Sequence, residues 1–548
     1  MTTVHFVEFF IKLMTRDTSS LSDLEVSSDQ RERSIEKTPT AGPGVRGLAS
    51  LAFAAAALAL IWVIGAPQPL DDAFITLRYA RSVAAGDGFV FNLGERVLGT
   101  TTPLFTLLLA VAHRLTSVDL VWLAYVFAMV AHLAVAAMLM VIGRRCRRPV
   151  LGIVTASLYT WAPLALFPVV GCMETPLFVL ATLCCLSPTD SPSSDWRSCA
   201  AAAAVLLRPE GILTAAIYLV DAARRNRPAA RRGAALIAAA VLPWVAFATW
   251  YFGSPVPQSL LAKWNYHVSI PRGVVLENFW YLLLSLPSAA PKIPLGSLTA
   301  QPFGTLIARA LPLGGDVGTR RLAVVVLGLM SAVLVCGGAI ALFRRNAQMS
   351  RLLLFATAYI AAYCVMSPAM FPWYLGPPLP VLLLAFVAGG AAMLRSLPGR
   401  LGERGFSAIV AIVLLGVAAC QAVRAIGSFA PTPRVLAYRS AVEMLGPIAQ
   451  KQSTRIAALE IGAIGYYARA AIVDYVGLVS PEVLRLGVEK SIEYFRPDFY
   501  IGYSGPLAMG QFTRLPAFYD NYEITARVPA AGPDPLLIYR RHLPREPG

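Results

Sequence analysis

At 548 residues, 57% hydrophobic and 14% charged, with a mean hydropathy of +0.61, the chain is too apolar for an ordinary soluble protein. The net charge of +16 does not indicate nucleic acid, because the arginines cluster in short loops between apolar runs, as in the cytoplasmic loops of membrane proteins. Apolar runs of about 17–25 residues recur while short alternating segments do not, which favours membrane-spanning helices over a membrane barrel.

Residues 1–45 are Ser/Thr-rich and charged and read as a disordered cytoplasmic tail, and the opening HFVEFFIKLM lacks the pattern of a cleaved signal peptide. A first span at 47–68, with the basic tail inside, delivers Asp71 to the outside. Asp71–Pro103 (DDAFITLRYARSVAAGDGFVFNLGERVLGTTTP) then forms an outer loop over 71–101, a polar, well-patterned stretch in an otherwise apolar chain. Arg144, Arg145, Arg147 and Arg148 belong inside, so the span at 118–143 runs from outside to inside. The apolar piece at 102–115 therefore makes no full crossing and is expected to be re-entrant or to lie on the surface. The same parity places further spans at 149–170, 176–187, 197–207, 211–223, 233–252, 322–343, 352–368, 379–394 and 406–424, with a second outer loop at 253–320. The expectation is a polytopic α-helical protein of the cytoplasmic (inner) membrane, with about eleven spans within 46–424, the N-terminus inside and the C-terminus outside.

Residues 425–548 change character. TRIAALEI, AAIVDYVGL, PDFYIGYSG, YEITARVP and LLIYRRH read as short strands, and VLAYRSAVEMLGPIAQ and PEVLRLGVEKSIEYF as helices between them. That alternation predicts a separate extracytoplasmic α/β domain, without a GxGxxG or Walker-type loop for nucleotide. No cysteine lies beyond Cys420, so no disulfide framework holds this region. With no CxxC pair or His/Cys cluster, and His5, His113, His132, His267 and His542 scattered, no metal site is expected.

The charged residues that interrupt the apolar pattern are the candidates for chemistry. Asp71 and Asp72 precede AFITLRYARSVAA, where an Asp serves as a helix N-cap. Carboxylates beside a membrane segment are also costly unless used, and one of raised basicity can take a proton from an attacking hydroxyl. Arg78 and Arg81, three apart on the same helix, can pair with carboxylate or phosphate. Glu174 in GCMET, Arg208 and Glu210 in RPEG, and Lys263 after YFGSPVPQSLLA reach the same side of the membrane as Asp71 and Asp72. A salt bridge holding a kink would equally account for Arg208 and Glu210. Trp373 and Tyr374 in FPWY suit an interfacial aromatic belt or a platform for a sugar ring. Glu460 and Asp474 are expected to cap or pair rather than catalyse.

The motifs DDAFITLRYARSVAAGDGFVFNLGERVLGTTTPLF, GCMET, LRPEG and YFGSPVPQSLLAK, in that order over residues 47–270, resemble the GT-C superfamily of membrane glycosyltransferases that use polyprenyl-phosphate-linked sugars. Within it the chain looks most like the bacterial branch that includes the mycobacterial terminal arabinofuranosyltransferase. The resemblance implies inverting transfer of a sugar, such as an arabinofuranosyl or mannosyl group, from a polyprenyl-phosphate donor to a cell-envelope glycan or another acceptor. It gives the catalytic base to Asp71 or Asp72 and the donor phosphate to Arg208 and Lys263, with Arg78 as a further candidate. Glu174, Glu210, Thr102, Trp373 and Tyr374 would line the substrate cavity. No cofactor is implied, since the lipid-linked sugar is itself the substrate. Phe105 stands where Trp is common and Gln258 where Asn is common, both at positions of substrate contact or loop packing, so the sugar stays open. A transporter or flippase of lipid-linked sugars is the alternative, but no internal repeat is apparent and the acidic residues lie at span ends rather than mid-membrane.

Overall fold

The computed structural model describes residues 66–189, 195–267, 272–286, 317–366, 371–395, 433–504, 515–528 and 535–542. The expected tail at 1–45, nearly all of the span at 47–68, and the span at 406–424 lie outside these residues. From an extended Leu70 the chain enters α1 (Asp71–Ala85), which stops where Gly86 turns left-handed at φ 87°. An irregular segment follows to α2 (Pro103–Thr116), so the loop expected over 71–101 is a helix plus a polar return.

The apolar part continues through α3 (Leu120–Arg145), α4 (Pro149–Trp161), α5 (Pro163–Val170), α6 (Thr175–Leu186), α7 (Asp195–Leu207), α8 (Gly211–Arg225) and α9 (Arg227–Phe252). After these come α10 (Gln258–His267), α11 (Arg272–Ser285), α12 (Val317–Arg345), α13 (Ser350–Met366) and α14 (Leu379–Arg395). Among the described residues four helical stretches are long and apolar enough to cross a membrane: α3, α9, Gly328–Arg345 of α12, and Ala347–Met366 around α13. The run expected as one span over 149–170 is instead a pair, α4 and α5, bent by 51°. Pro163 has no N–H to continue the first helix, and the pair counts as a fifth span only if taken as one broken crossing. α2, α6 and α14 are shorter apolar helices. The second outer loop is not plain loop, since α10 and α11 occupy much of its first half.

Close backbone approach holds the bundle together. A Cβ on Gly338 of α12 would strike the Ala385 carbonyl of α14, and one on Gly389 of α14 would strike Leu334 of α12. Gly143 and Gly152 bring α3 and α4 together in the same way. Small residues at such crossings replace the hydrophobic drive that lipid does not supply. On α9, Leu242 and Trp250 are 58% and 76% exposed, as suits a helix facing lipid rather than protein.

The C-terminal part opens with α15 (Pro433–Leu445) and builds a five-stranded sheet of β1 (Arg455–Ala458), β2 (Ala471–Asp474), β3 (Phe499–Tyr503), β4 (Tyr522–Val528) and β5 (Leu536–Arg541). The order is β2-β1-β3-β5-β4, parallel across β2, β1 and β3 and antiparallel across β3, β5 and β4. α16 (Gly462–Tyr467) connects β1 to β2, and α17 (Pro481–Leu486) and α18 (Val488–Phe495) lead to β3. Each strand lies inside a segment whose β-branched and aromatic content predicts it. The single helix expected over 481–495 is broken at Gly487, whose φ of 76° ends one helix and starts the next. An aromatic core of Tyr475, Tyr500, Phe518, Tyr522 and Tyr539 fills one face of the sheet. This part does not stand apart: α16 packs on α1, so the segment that α1 opens is also its dock.

Candidate active site

α1 places two adjacent carboxylates in different surroundings. Asp71, expected to cap its own helix, makes no such bond; Leu70 holds the cap position. Its carboxylate instead accepts the backbone N–H groups of Gly462 (2.9 Å) and Ala463 (2.8 Å), the first residues of α16. Asp71 thus caps a helix about 390 residues further along the chain. A Cβ on Gly462 would collide with the Asp71 carbonyl, so only glycine permits this approach. Burial, then the negative charge of Glu460, push the Asp71 carboxyl up to about 7. Asp72 points the other way, into a small cleft, where its Oδ2 lies 3.7 Å from Lys263 Nζ of α10.

The cleft is walled by Thr76 and Ile75 of α1, the Gly99–Thr102 return, Glu174, Arg208 and Glu210, Ser259 and Lys263, and Trp373 and Tyr374. Of the residues expected at the site, Asp72, Glu174, Arg208, Glu210, Lys263, Thr102, Trp373 and Tyr374 converge here, from segments spread over some 300 positions of sequence. Lys263 Nζ donates to Tyr374 Oη at 3.2 Å and sits 5.5 Å from the centre of the Phe371 ring. Trp373 stacks on Phe371, with ring centres 4.7 Å apart. Thr76, Thr100 and Thr102 form a triangle of hydroxyls 3.1–3.3 Å apart.

Arg208 is buried and its charge is already engaged. It donates to Glu174 (2.8 Å) and Thr175 (3.2 Å) through Nη1, and to both oxygens of Glu210 through Nη2 (3.0 Å) and Nε (3.3 Å). Tyr363 Oη donates to the same Glu210. Two carboxylates around one guanidinium leave the cluster with a net negative charge when both are ionised, so Arg208 stiffens the cleft wall more than it offers free positive charge.

Arg78 does not reach the cleft, which corrects its expected role at the donor phosphate. Its guanidinium is 4% exposed and donates to the carbonyls of Phe91 (2.6 Å), Gly465 (2.7 Å) and Ala470 (3.1 Å) and to Asn92 Oδ1 (3.2 Å). Asn92 exchanges two bonds with the backbone of Ile472 at the edge of β2, 2.8 and 2.9 Å long. Arg78, Asn92 and Asp71 are therefore a latch between the 71–101 segment and the sheet domain. The i, i+3 spacing of Arg78 and Arg81 signalled a shared face, but that face meets α16 rather than substrate, with Arg81 donating to the Tyr466 carbonyl.

Sequence reasoning missed the roof. Leu478, in the turn after β2, lines the cleft. Asp474 shapes that turn by accepting the N–H groups of Val476, Leu478 and Val479, while Ser480 Oγ accepts the Asp474 N–H. This is the capping role expected of Asp474; Glu460 likewise pairs with Arg434 and Tyr438. Gln258 donates to the Gly477 carbonyl (3.2 Å), so its departure from the family pattern concerns loop packing. Phe105, the other departure, is 1% exposed. Ser259 Oγ, buried and without a hydrogen-bond partner among the described residues, also lines the cleft. The short Asp-to-Ser spacing in DYVGLVS was the available signal for the turn, but nothing local tied it to residues near 72 or 99.

Residues 435–539 match a family model described as a domain of unknown function (DUF8728). A terminal beta-(1->2)-arabinofuranosyltransferase of Mycobacterium tuberculosis is 32% identical over 216 residues, covering 35% of this chain and 34% of that protein. The chain thus spans about a third of the length of this curated relative. In fold the chain is similar to ArnT from Cupriavidus metallidurans bound to undecaprenyl phosphate, with a TM-score of 0.50 at 13% identity over 91% of this chain and 98% of that one. It is similar also to the oligosaccharyltransferase AglB from Archaeoglobus fulgidus in complex with an inhibitory peptide and a dolichol-phosphate (TM-score 0.51, 11% identity, 84% of this chain and 70% of that one). The resemblance to the GT-C membrane glycosyltransferases holds, in the fold and in the aligned stretch of an arabinofuranosyltransferase.

Proposed function

We propose that the cleft beside Asp72 transfers a sugar, with inversion, from a polyprenyl-phosphate carrier to a hydroxyl of a cell-envelope glycan on the outer face of the cytoplasmic membrane. The observation that carries this is the opposed pair Asp72 and Lys263, a carboxylate and an ammonium across a cleft walled by hydroxyls and aromatic rings. The acceptor oxygen attacks the anomeric carbon, and its proton passes to the Asp72 carboxylate. The bond from the anomeric carbon to the phosphate oxygen breaks, and the polyprenyl phosphate leaves with the electron pair, its charge met by the Lys263 ammonium. A general base of this kind contributes about 10²–10⁴ in rate. The pair is 3.7 Å apart, with side chains 26% and 33% exposed, and such a pair contributes at most about 1 kcal/mol. An incoming phosphate can therefore displace Asp72 from Lys263 at little cost.

The Glu174–Arg208–Glu210 cluster positions the wall, Trp373 is packed between aromatic neighbours and supports it, and Ser259 Oγ offers an unused hydroxyl. The resemblance to an arabinofuranosyltransferase supports a pentofuranosyl donor, and the carriers named in the similar structures support a polyprenyl phosphate. We take the topology to be about eleven spans with the N-terminus inside, and the reaction to need neither metal nor cofactor. The test is transfer by membranes holding the protein, offered a panel of radiolabelled polyprenyl-phosphate sugars with and without EDTA. Transfer from one donor, undiminished by EDTA, is expected; no transfer from any, with the donor instead moved intact across the bilayer, would favour a flippase.

A further inference from the structure

The end of the helix bundle opposite the cleft holds a second cavity. α14 starts five residues past Tyr374 of the cleft and runs 17 residues to Arg395, about 25 Å away along the helix. There, the last turns of α12 and α14, the Cys146–Arg148 turn and the start of α4 enclose a cavity of about 670 Å³. Arg147, Arg148, Arg345 and Arg395 line it, and no carboxylate does so among the described residues. The walls are aliphatic, with Leu151 and Val387 among them. Arginines at these helix ends are expected from topology alone. Topology does not account for an aliphatic cavity between three separate helix ends with four of those arginines on its lining.

The turn that brings Arg147 and Arg148 here is specifically built. Arg147 adopts a left-handed φ of 55°, which a side chain with a Cβ rarely takes, and the turn is closed by bonds from Arg147 N–H to Arg144 (2.9 Å) and Arg148 N–H to Gly143 (2.8 Å).

We propose that this cavity binds an anionic phospholipid of the leaflet opposite the cleft, its phosphate on Arg147 and Arg345 and the start of its acyl chain against the aliphatic wall. The volume lies within the range of about 300–1,000 Å³ of small-ligand sites, and basic pockets between membrane helices take lipid headgroups by this chemistry. A soluble anion would use the arginines but leave the wall unsatisfied. An anionic phospholipid matches both halves of the lining.

The test is lipid retention by the full-length protein, extracted from vesicles of phosphatidylglycerol and phosphatidylcholine and read by native mass spectrometry. Arg147→Ala with Arg345→Ala should lower retained phosphatidylglycerol about tenfold or more, at roughly the binding expected of each arginine near a lipid surface. Arg224→Ala with Arg231→Ala removes as much charge from exposed positions outside the cavity and should leave retention unchanged. Ala391→Phe fills the cavity without touching charge and should also lower retention, which keeps the test available if the arginine variant does not fold. Equal loss in the control pair, equal retention of phosphatidylcholine, or displacement of the lipid by millimolar inorganic phosphate would each overturn the proposal.

Discussion

Asp71 and Asp72 are neighbours in sequence with opposite assignments: Asp71 accepts the N–H groups of Gly462 and Ala463, and Asp72 faces Lys263 at 3.7 Å across the cleft. Proton affinity alone would favour Asp71 as a base, since burial pushes it up to about 7, near the ideal for proton transfer at neutral pH. Geometry decides otherwise. Both Asp71 oxygens are taken by backbone donors of the sheet domain, and its side chain does not line the cleft. We therefore propose Asp72 as the base, while the contacts of Asp71 place it in the dock.

The latch can be tested through Arg78. Arg78→Lys keeps the charge but cannot reach four acceptors with one ammonium, leaving buried carbonyls of Phe91, Gly465 and Ala470 short of donors. A loss of about 2–4 kcal/mol is expected. Hydrogen exchange should rise through α16 and β2, where the Ile472 amide is bonded to Asn92. If Arg78 served the donor phosphate instead, the lysine variant would retain protection there and lose chiefly donor affinity.

The cluster around Arg208 predicts strong coupling. Removing Glu174 or Glu210 singly should weaken folding modestly, because the remaining carboxylate still balances Arg208. Arg208→Met alone strands two partly or fully buried carboxylates and should cost about 3–5 kcal/mol. Combining Arg208→Met with Glu174→Gln and Glu210→Gln should recover part of that loss. Additive effects across the thermal-unfolding series would show that the three side chains do not act as a unit.

Gly99 tests the roof. A Cβ there would meet a Val479 methyl, the Tyr79 hydroxyl and the Leu478 carbonyl. Gly99→Ala should therefore displace the turn after β2 and lower turnover, with the fold otherwise retained. Leu478→Ala, which shortens the roof without pushing it, should chiefly raise KM. Unchanged kinetics in both would separate the sheet domain from the cleft.

The docked carboxyls set a pH dependence. Burial raises Asp71 to about 7 and Asp474 to about 6, both from an ordinary 3.8. The folded chain therefore keeps protons in this window that the unfolded chain has already lost, and stability must fall as pH rises. This contribution is complete below about pH 4 and lost as pH passes through the two raised values. Thermal midpoints should decline from about pH 5 to about pH 8, with a shallower slope in Asp71→Asn. A midpoint that climbs over the same range would contradict these assignments.

Much of the site was legible because charge inside an apolar chain is conspicuous. Arginine clusters gave helix ends, and with them the common side of Asp72, Glu174, Arg208, Glu210 and Lys263. The strands of the sheet domain followed from local composition. What sequence could not carry was partnership across hundreds of residues. Arg78 was a plausible phosphate ligand by type, and only the position of Gly465 and Ala470 makes it a latch. Asp71 showed the chemistry of a helix cap, but the helix it caps lies in the sheet domain. The bend between α4 and α5 had its signal in Pro163, which an apolar-run reading treats as tolerable inside a span.

The most direct test compares Asp72→Asn and Asp71→Asn in purified protein, measuring sugar transfer alongside thermal unfolding. Asp72→Asn should lower kcat by about 10²–10⁴ with the unfolding midpoint near that of the unaltered protein. Asp71→Asn should lower the midpoint and retain far more of the chemical rate in the fraction that stays folded. Near-normal transfer by Asp72→Asn, with catalysis lost instead in a stable Asp71→Asn, would contradict the account.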